Sequence, residues 1–131
     1  MSNILITGGA GYVGAVLTPY LLERGHKVTV VDLMIYGKDV LKNNENLKVV
    51  KGDIRDKDLL KKVLPGQEIV IHLAWQDIPD FSAQTSIQNV NQSMELFELI
   101  WPLESCQKIL VSGTCAEYDS QNGSCSESDT I

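Results

Sequence analysis

Short apolar runs alternate with apolar residues at helical spacing along the whole chain. Residues 4–7 (ILIT) are an apolar run that breaks into glycines, and Val13, Val16, Leu17, Tyr20 and Leu21 follow as one face of a predicted helix. Pro19 lies inside that helix, where it removes a backbone donor and is expected to bend it. A second strand is predicted over 27–31, ending in Asp32, and a third over 47–50. Next come a helix over 56–64, a strand over 68–73, a long helix over 83–101 and a strand over 108–112. Strands alternating with helices in this way predict a parallel sheet covered on both faces, a doubly wound α/β domain of about five strands in the order 3-2-1-4-5. Residues 119–130 (DSQNGSCSESDT) are polar and rich in turn formers, and are expected to form a loop or a tail ordered on binding.

The junction between the first strand and the first helix reads ILITGGAGYVG over residues 4–14. Gly8, Gly11 and Gly14 stand where the chain must turn tightly, approach an anion closely and lay a helix against its strand. The free N–H groups and the dipole at the start of the helix then favour a phosphate. A lone G-x-G-x-x-G match, here Gly9, Gly11 and Gly14, is weak. It gains weight because a strand precedes it, a helix follows, and Asp32 ends the next strand at the distance expected of a carboxylate that accepts ribose hydroxyls. A 2′-phosphate beside Asp32 would be repelled, and neither Leu33 nor Met34 offers a guanidinium, so NAD is expected rather than NADP. The fold expected is therefore of Rossmann type.

The 131 residues make one domain, short for a complete nucleotide-dependent enzyme. The formal charge of −6 and the lack of a basic cluster predict no nucleic-acid or anionic-membrane partner. No apolar run reaches the length of a membrane span and no signal-peptide pattern opens the chain, so a cytoplasmic protein is expected. Cys106, Cys115 and Cys125 are odd in number and lack C-x-x-C spacing, which predicts free thiols rather than disulfides or a metal site. His72 lies between Ile71 and Leu73 in a strand and reads as a hydrogen-bonded core residue, not a catalytic base. Residues 83–101 carry Ile87, Val90, Met94, Phe97, Leu99, Ile100 and Trp101, more apolar surface than one face against a sheet requires, which points to a partner, with packing into the core as the alternative.

Together these motifs resemble the extended short-chain dehydrogenase/reductase family, in its NAD-dependent nucleotide-sugar epimerase/dehydratase branch. TGGAGYVG at residues 7–14 is similar to that branch's TGGxGxxG, GDIRD at 52–56 to its adenine-binding segment, and HLAW at 72–75 to its HLAA. NVNQSMELFEL at 89–99 resembles NVxGTxxLLEA, and VSGTCAEYD at 111–119 resembles YSSSxxVYG. The resemblance implies cofactor binding by Gly8, Gly11, Tyr12, Val13, Gly14, Asp32, Asp53, Ile54, Leu73 and Ala74. It implies a catalytic role for Thr114, a nucleotide-linked sugar as substrate, and a homodimer formed through the 83–101 helix.

The departures from the pattern carry expectations of their own. The family's Tyr and Lys of a YxxxK motif are expected beyond residue 131, because Tyr118 falls at the structural Tyr of VYG and the residue four beyond it is Asn122. The sixth strand and the substrate-binding part are expected there too, so the chain alone is expected to be inactive. Where the family's 4,6-dehydratases carry Asp–Glu after the catalytic Thr, this chain has Cys115 and Ala116, which favours epimerisation over dehydration. A different class of function compatible with the same residues is a non-catalytic module that senses NAD(H) or NADP(H).

Overall fold

In the computed structural model, residues 1–76, 80, 82–113, 126 and 128 are described. Five strands, β1 (Asn3–Thr7), β2 (Lys27–Asp32), β3 (Leu47–Lys51), β4 (Ile69–His72) and β5 (Lys108–Val111), form one sheet in the order β3-β2-β1-β4-β5. Every neighbouring pair is parallel. Three α-helices connect them: α1 (Gly14–Glu23), α2 (Lys57–Val63) and α3 (Ala83–Ile100). The architecture is the doubly wound one expected from the alternation of patterns.

Because side chains alternate along a strand, β1 sends Ile4 and Ile6 to one face and Leu5 to the other, all fully or almost fully buried. Leu5 joins Val31, Val70, Leu60, Leu64, Leu96 and Ile100 in the core beneath α2 and α3. Ile4 and Ile6 join Val28, Val30 and Ile71 beneath Leu17, Leu21 and Leu22 of α1. Truncating such a buried Leu to Ala costs about 2–5 kcal/mol, a large share of what a small domain has. Helix α2 begins where Asp56 accepts the Leu59 N–H at 2.9 Å, and α3 where Ser82 accepts the Thr85 N–H at 3.3 Å.

One expectation about α1 is corrected. Val13, Val16 and Tyr20 do not face the sheet; all three are exposed, and the buried residues of the helix are Gly14 and Thr18. Gly14 lets the first turn of α1 lie directly on the glycine loop, and this contact line, continued by Leu17, Thr18 and Leu21, turns the other apolar residues outward. The helix runs through Pro19 without ending. Among the described residues, no helix is long and apolar enough to cross a membrane.

Candidate dinucleotide site

All five strands are parallel, so their carboxyl ends lie along one edge of the sheet, and the strand order reverses between β1 and β4. Open α/β sheets bind ligands at such a switch point. The loop after β1 is held there by its neighbours on both sides. Gly8 N–H donates to Val31 O at 2.9 Å, and Leu73 N–H donates to Thr7 O at 3.0 Å.

Gly8 adopts φ +73°, and a Cβ on it would stand 2.7 Å from the Ala74 N. The HLAW segment therefore approaches the glycine turn as closely as backbone allows. A Cβ on Gly14 would meet Gly9 C and Cα at 2.5 Å, which is the helix-on-loop contact expected of the third glycine. Gly11 differs: a Cβ there would meet only Gly8 O, at 3.2 Å. That contact is tight but far looser than the one at Gly14, so the packing constrains Gly11 less. Tyr12 and Val13 follow, both exposed, and Val13 begins α1 with no side-chain cap. Ala15 N–H and Val16 N–H donate to Gly11 O at 2.8 Å and Val13 O at 3.2 Å, so the positive end of the helix dipole is offered by the backbone ahead of them.

Asp32 ends β2, half-buried. Its Oδ2 accepts the Ala10 N–H at 2.9 Å and its Oδ1 the Met34 N–H at 2.7 Å. One carboxylate thus fixes the glycine loop and the turn after β2, in which Met34 takes φ +58°. An ionised carboxylate accepts about four hydrogen bonds, so acceptor capacity remains for ribose hydroxyls.

Asp53 lies just beyond β3 and next to this carboxylate's strand, because Gly52 N–H donates to Asp32 O at 2.9 Å. Its own carboxylate is taken up by Arg55, whose backbone N–H and Nε each reach Oδ1 at 2.9 Å while Nε and Nη2 reach Oδ2. The Arg55 hydrogen bonds hold its pKa below the ordinary 3.8, against a smaller opposing effect of burial. Ile54 packs its side chain against the core under α2. Thr114, Cys115, Tyr118 and Cys125 lie outside the described residues.

The buried His72 occupies the place a core histidine should. Its Nδ1 lies 2.6 Å from Thr7 Oγ1 and its Nε2 2.9 Å from Ser93 Oγ. Ser93 spends its hydroxyl proton on Asn89 O at 2.9 Å, so Nε2 carries the imidazole proton and Nδ1 accepts from Thr7. Asn89 in turn clamps the backbone after β4, accepting Gln76 N–H at 2.7 Å and donating to Gln76 O at 3.1 Å.

Sequence reasoning missed several of these supports. Thr18 is buried and donates to Gly9 O at 3.2 Å, tying α1 to the loop. A polar residue four positions after Gly14, on the line that faces the sheet, was the available signal. The Arg55 partner of Asp53 and the Asn89 clamp had none beyond their polarity.

A family model described as the NAD dependent epimerase/dehydratase family matches residues 4–131. The chain belongs to this family. A UDP-glucose 4-epimerase 2 of Oryza sativa subsp. japonica is 31% identical over 95% of this chain. That alignment covers 34% of the rice protein, so the chain spans about a third of this relative's length. A solved structure of a UDP-N-acetylglucosamine 4-epimerase from Methanobrevibacter ruminantium superposes with TM-score 0.80 at 30% identity, covering 99% of this chain and 44% of that one. An enzyme of Bordetella bronchiseptica, WbmH, solved in complex with NAD+, gives TM-score 0.63 at 28% identity over 76% of this chain and 34% of that one. The family is NAD dependent by its description, and residues 4–131, which it matches, include the glycine loop and Asp32.

Proposed function

We propose that this chain is the NAD-binding portion of a nucleotide-sugar epimerase-type oxidoreductase. The observation that carries the reading is the double anchorage of Asp32, which ties its carboxylate to Ala10 of the glycine loop and to Met34, and supports a ribose site and a diphosphate site held side by side. Gly11, Tyr12 and Val13 receive the diphosphate, Asp32 the adenosine ribose, Asp53 and Ile54 the adenine, and Leu73 and Ala74 line the cofactor next to Gly8. NAD supplies a hydride acceptor and donor when bound. The chain's own part is to orient it against the sheet edge and to keep the charge at Asp32 facing the ribose.

The substrate in this reading is a nucleotide-linked sugar, in keeping with the UDP-sugar epimerases to which the chain is similar. Epimerisation is favoured over 4,6-dehydration because Cys115 and Ala116 stand where dehydratases carry an acid–base pair. Thr114 orients the reacting hydroxyl, and the general base belongs to a Tyr/Lys pair outside these residues. The 131-residue chain then binds NAD and turns over nothing.

Calorimetric titration with NAD and NADP tests the cofactor site. NAD binds, and NADP binds at least roughly tenfold more weakly, since a doubly charged phosphate a few ångströms from Asp32 costs on the order of 1–2 kcal/mol even in a watery site. Asp32→Ala abolishes NAD binding and also lowers the melting temperature, because two backbone donors lose their acceptor. Absence of NAD binding by the folded wild-type chain, or equal binding of both dinucleotides, would defeat the reading.

A further inference from the structure

The strand ladder holds β4 only to its carboxyl end. Leu73 N–H donates to Thr7 O at 3.0 Å and Ser112 N–H to His72 O at 3.4 Å, and beyond them the chain leaves the sheet. There a side chain takes over. Asn89, on α3 and only 3% exposed, accepts Gln76 N–H on its Oδ1 at 2.7 Å and donates from Nδ2 to Gln76 O at 3.1 Å. Its second amide hydrogen goes to Thr85 O at 3.0 Å. The amide thus offers Gln76 the donor and the acceptor that a neighbouring strand would offer, and both of its hydrogens are used. Two residues earlier, Ala74 N lies 2.7 Å from where a Cβ on Gly8 would stand. Residues 74–76 are therefore held between the glycine turn and α3.

In the sheet order β3-β2-β1-β4-β5, Asp32 and Asp53 follow strands on one side of the β1 loop, and residues 73–76 follow a strand on the other. A dinucleotide whose adenosine meets Asp32 and whose diphosphate meets the β1 loop extends its second half over the end of β4. We propose that Asn89 is a positioning residue for that half: by pairing with the Gln76 backbone, it fixes the segment on which the nicotinamide riboside rests. The proposal rests on the NAD reading above. Asn89 acts through the backbone of residues 73–76 rather than on the cofactor. Asn suits the task because an ionised Asp has no donor and Gln carries its amide one carbon too far.

The test compares NAD with ADP, which keeps the adenosine and the diphosphate but has no nicotinamide riboside, by calorimetry on the full chain. The ratio of the two dissociation constants is the readout, because a smaller folded fraction weakens both ligands by the same factor. In Asn89→Ala the affinity for NAD falls on the order of threefold to tenfold relative to that for ADP, about what one hydrogen bond is worth. Asn89→Ser, which keeps a polar group in the space, shifts the ratio in the same direction. Leu60→Ala, which opens the core beneath α2, lowers the melting temperature and leaves the ratio where it was. A ratio that stays flat in folded Asn89→Ala and Asn89→Ser, or that Leu60→Ala shifts as far, overturns the proposal while leaving the NAD reading intact. A wild-type chain that does not bind NAD removes the NAD reading itself, and this inference with it.

Discussion

At His72 the chemistry of a single side chain is fixed by its neighbours. Thr7 donates to one ring nitrogen and Ser93 accepts from the other, and Phe97 closes over the ring edge-on with centroids 5.9 Å apart. Burial pushes the imidazole pKa below its ordinary 6.5. A second proton on Nδ1 would also oppose the Thr7 hydroxyl hydrogen. The unfolded chain therefore takes up a proton near pH 6.5 that the folded chain refuses. The contribution of this residue is fully present above that pH and is lost as the pH falls toward the lower folded value. Denaturant melts at pH 7.5 and 5.5 are expected to show wild type losing more stability on acidification than His72→Gln, which cannot titrate. Equal losses in the two proteins would contradict this. Asp53 acts in a separate window: its lowered pKa means that its share of stability is lost only as the pH falls through the carboxylate range.

At the scale of elements, the β1–α1 junction separates glycines that the packing demands from Gly11, which the proposed function gives to the diphosphate. Gly14→Ala would drive a methyl to 2.5 Å from the Gly9 backbone and pry α1 from its loop. The expected cost is about 1–3 kcal/mol, typical of overpacking, which lowers the melting point by roughly 4–8 °C per kcal/mol in a domain of 60–100 residues and somewhat less here. Gly11→Ala meets Gly8 O at 3.2 Å, a contact relieved by a shift of a few tenths of an ångström, so the melting temperature should fall less than in Gly14→Ala while NAD binding falls more. Thermal melts and titrations on the two variants check this, and a Gly11→Ala protein that binds NAD normally would break the assignment of Gly11 to the diphosphate.

For the whole molecule, the question is what covers α3. Leu96 and Ile100 are buried and Phe97 and Leu99 partly so, whereas Ile87, Val90, Met94 and Trp101 face outward. Those four fall at i, i+3, i+7 and i+14, the spacing of a single seam on a helix. A second copy of the chain related by a two-fold axis is the partner we propose, since a self-complementary seam suits an isologous contact. Sedimentation at high micromolar concentration is expected to show a dimer in wild type and a monomer in Met94→Glu. That variant's melting temperature should stay nearly that of the wild-type monomer, because Met94 is exposed. A wild-type chain that sediments only as monomer ends the proposal.

Much of this protein was written in its local pattern. The alternation of apolar runs with helical spacing determined the doubly wound sheet and its order, because a parallel strand needs a crossover and the crossover has one favoured hand. The glycines and Asp32 were legible because their work depends on the backbone within one βαβ unit. Tertiary structure alone decided which side of α1 meets the sheet. Val16 and Leu17 are equally apolar, and only the contact between Gly14 and Gly9 chooses between their faces. It also decided that Arg55 closes over Asp53 and that Thr7, His72, Ser93 and Asn89, far apart in the chain, join in one hydrogen-bonded group. Hydrogen bonds of polar side chains depend on where distant strands and helices bring them together, and a hydrophobic pattern carries no record of that.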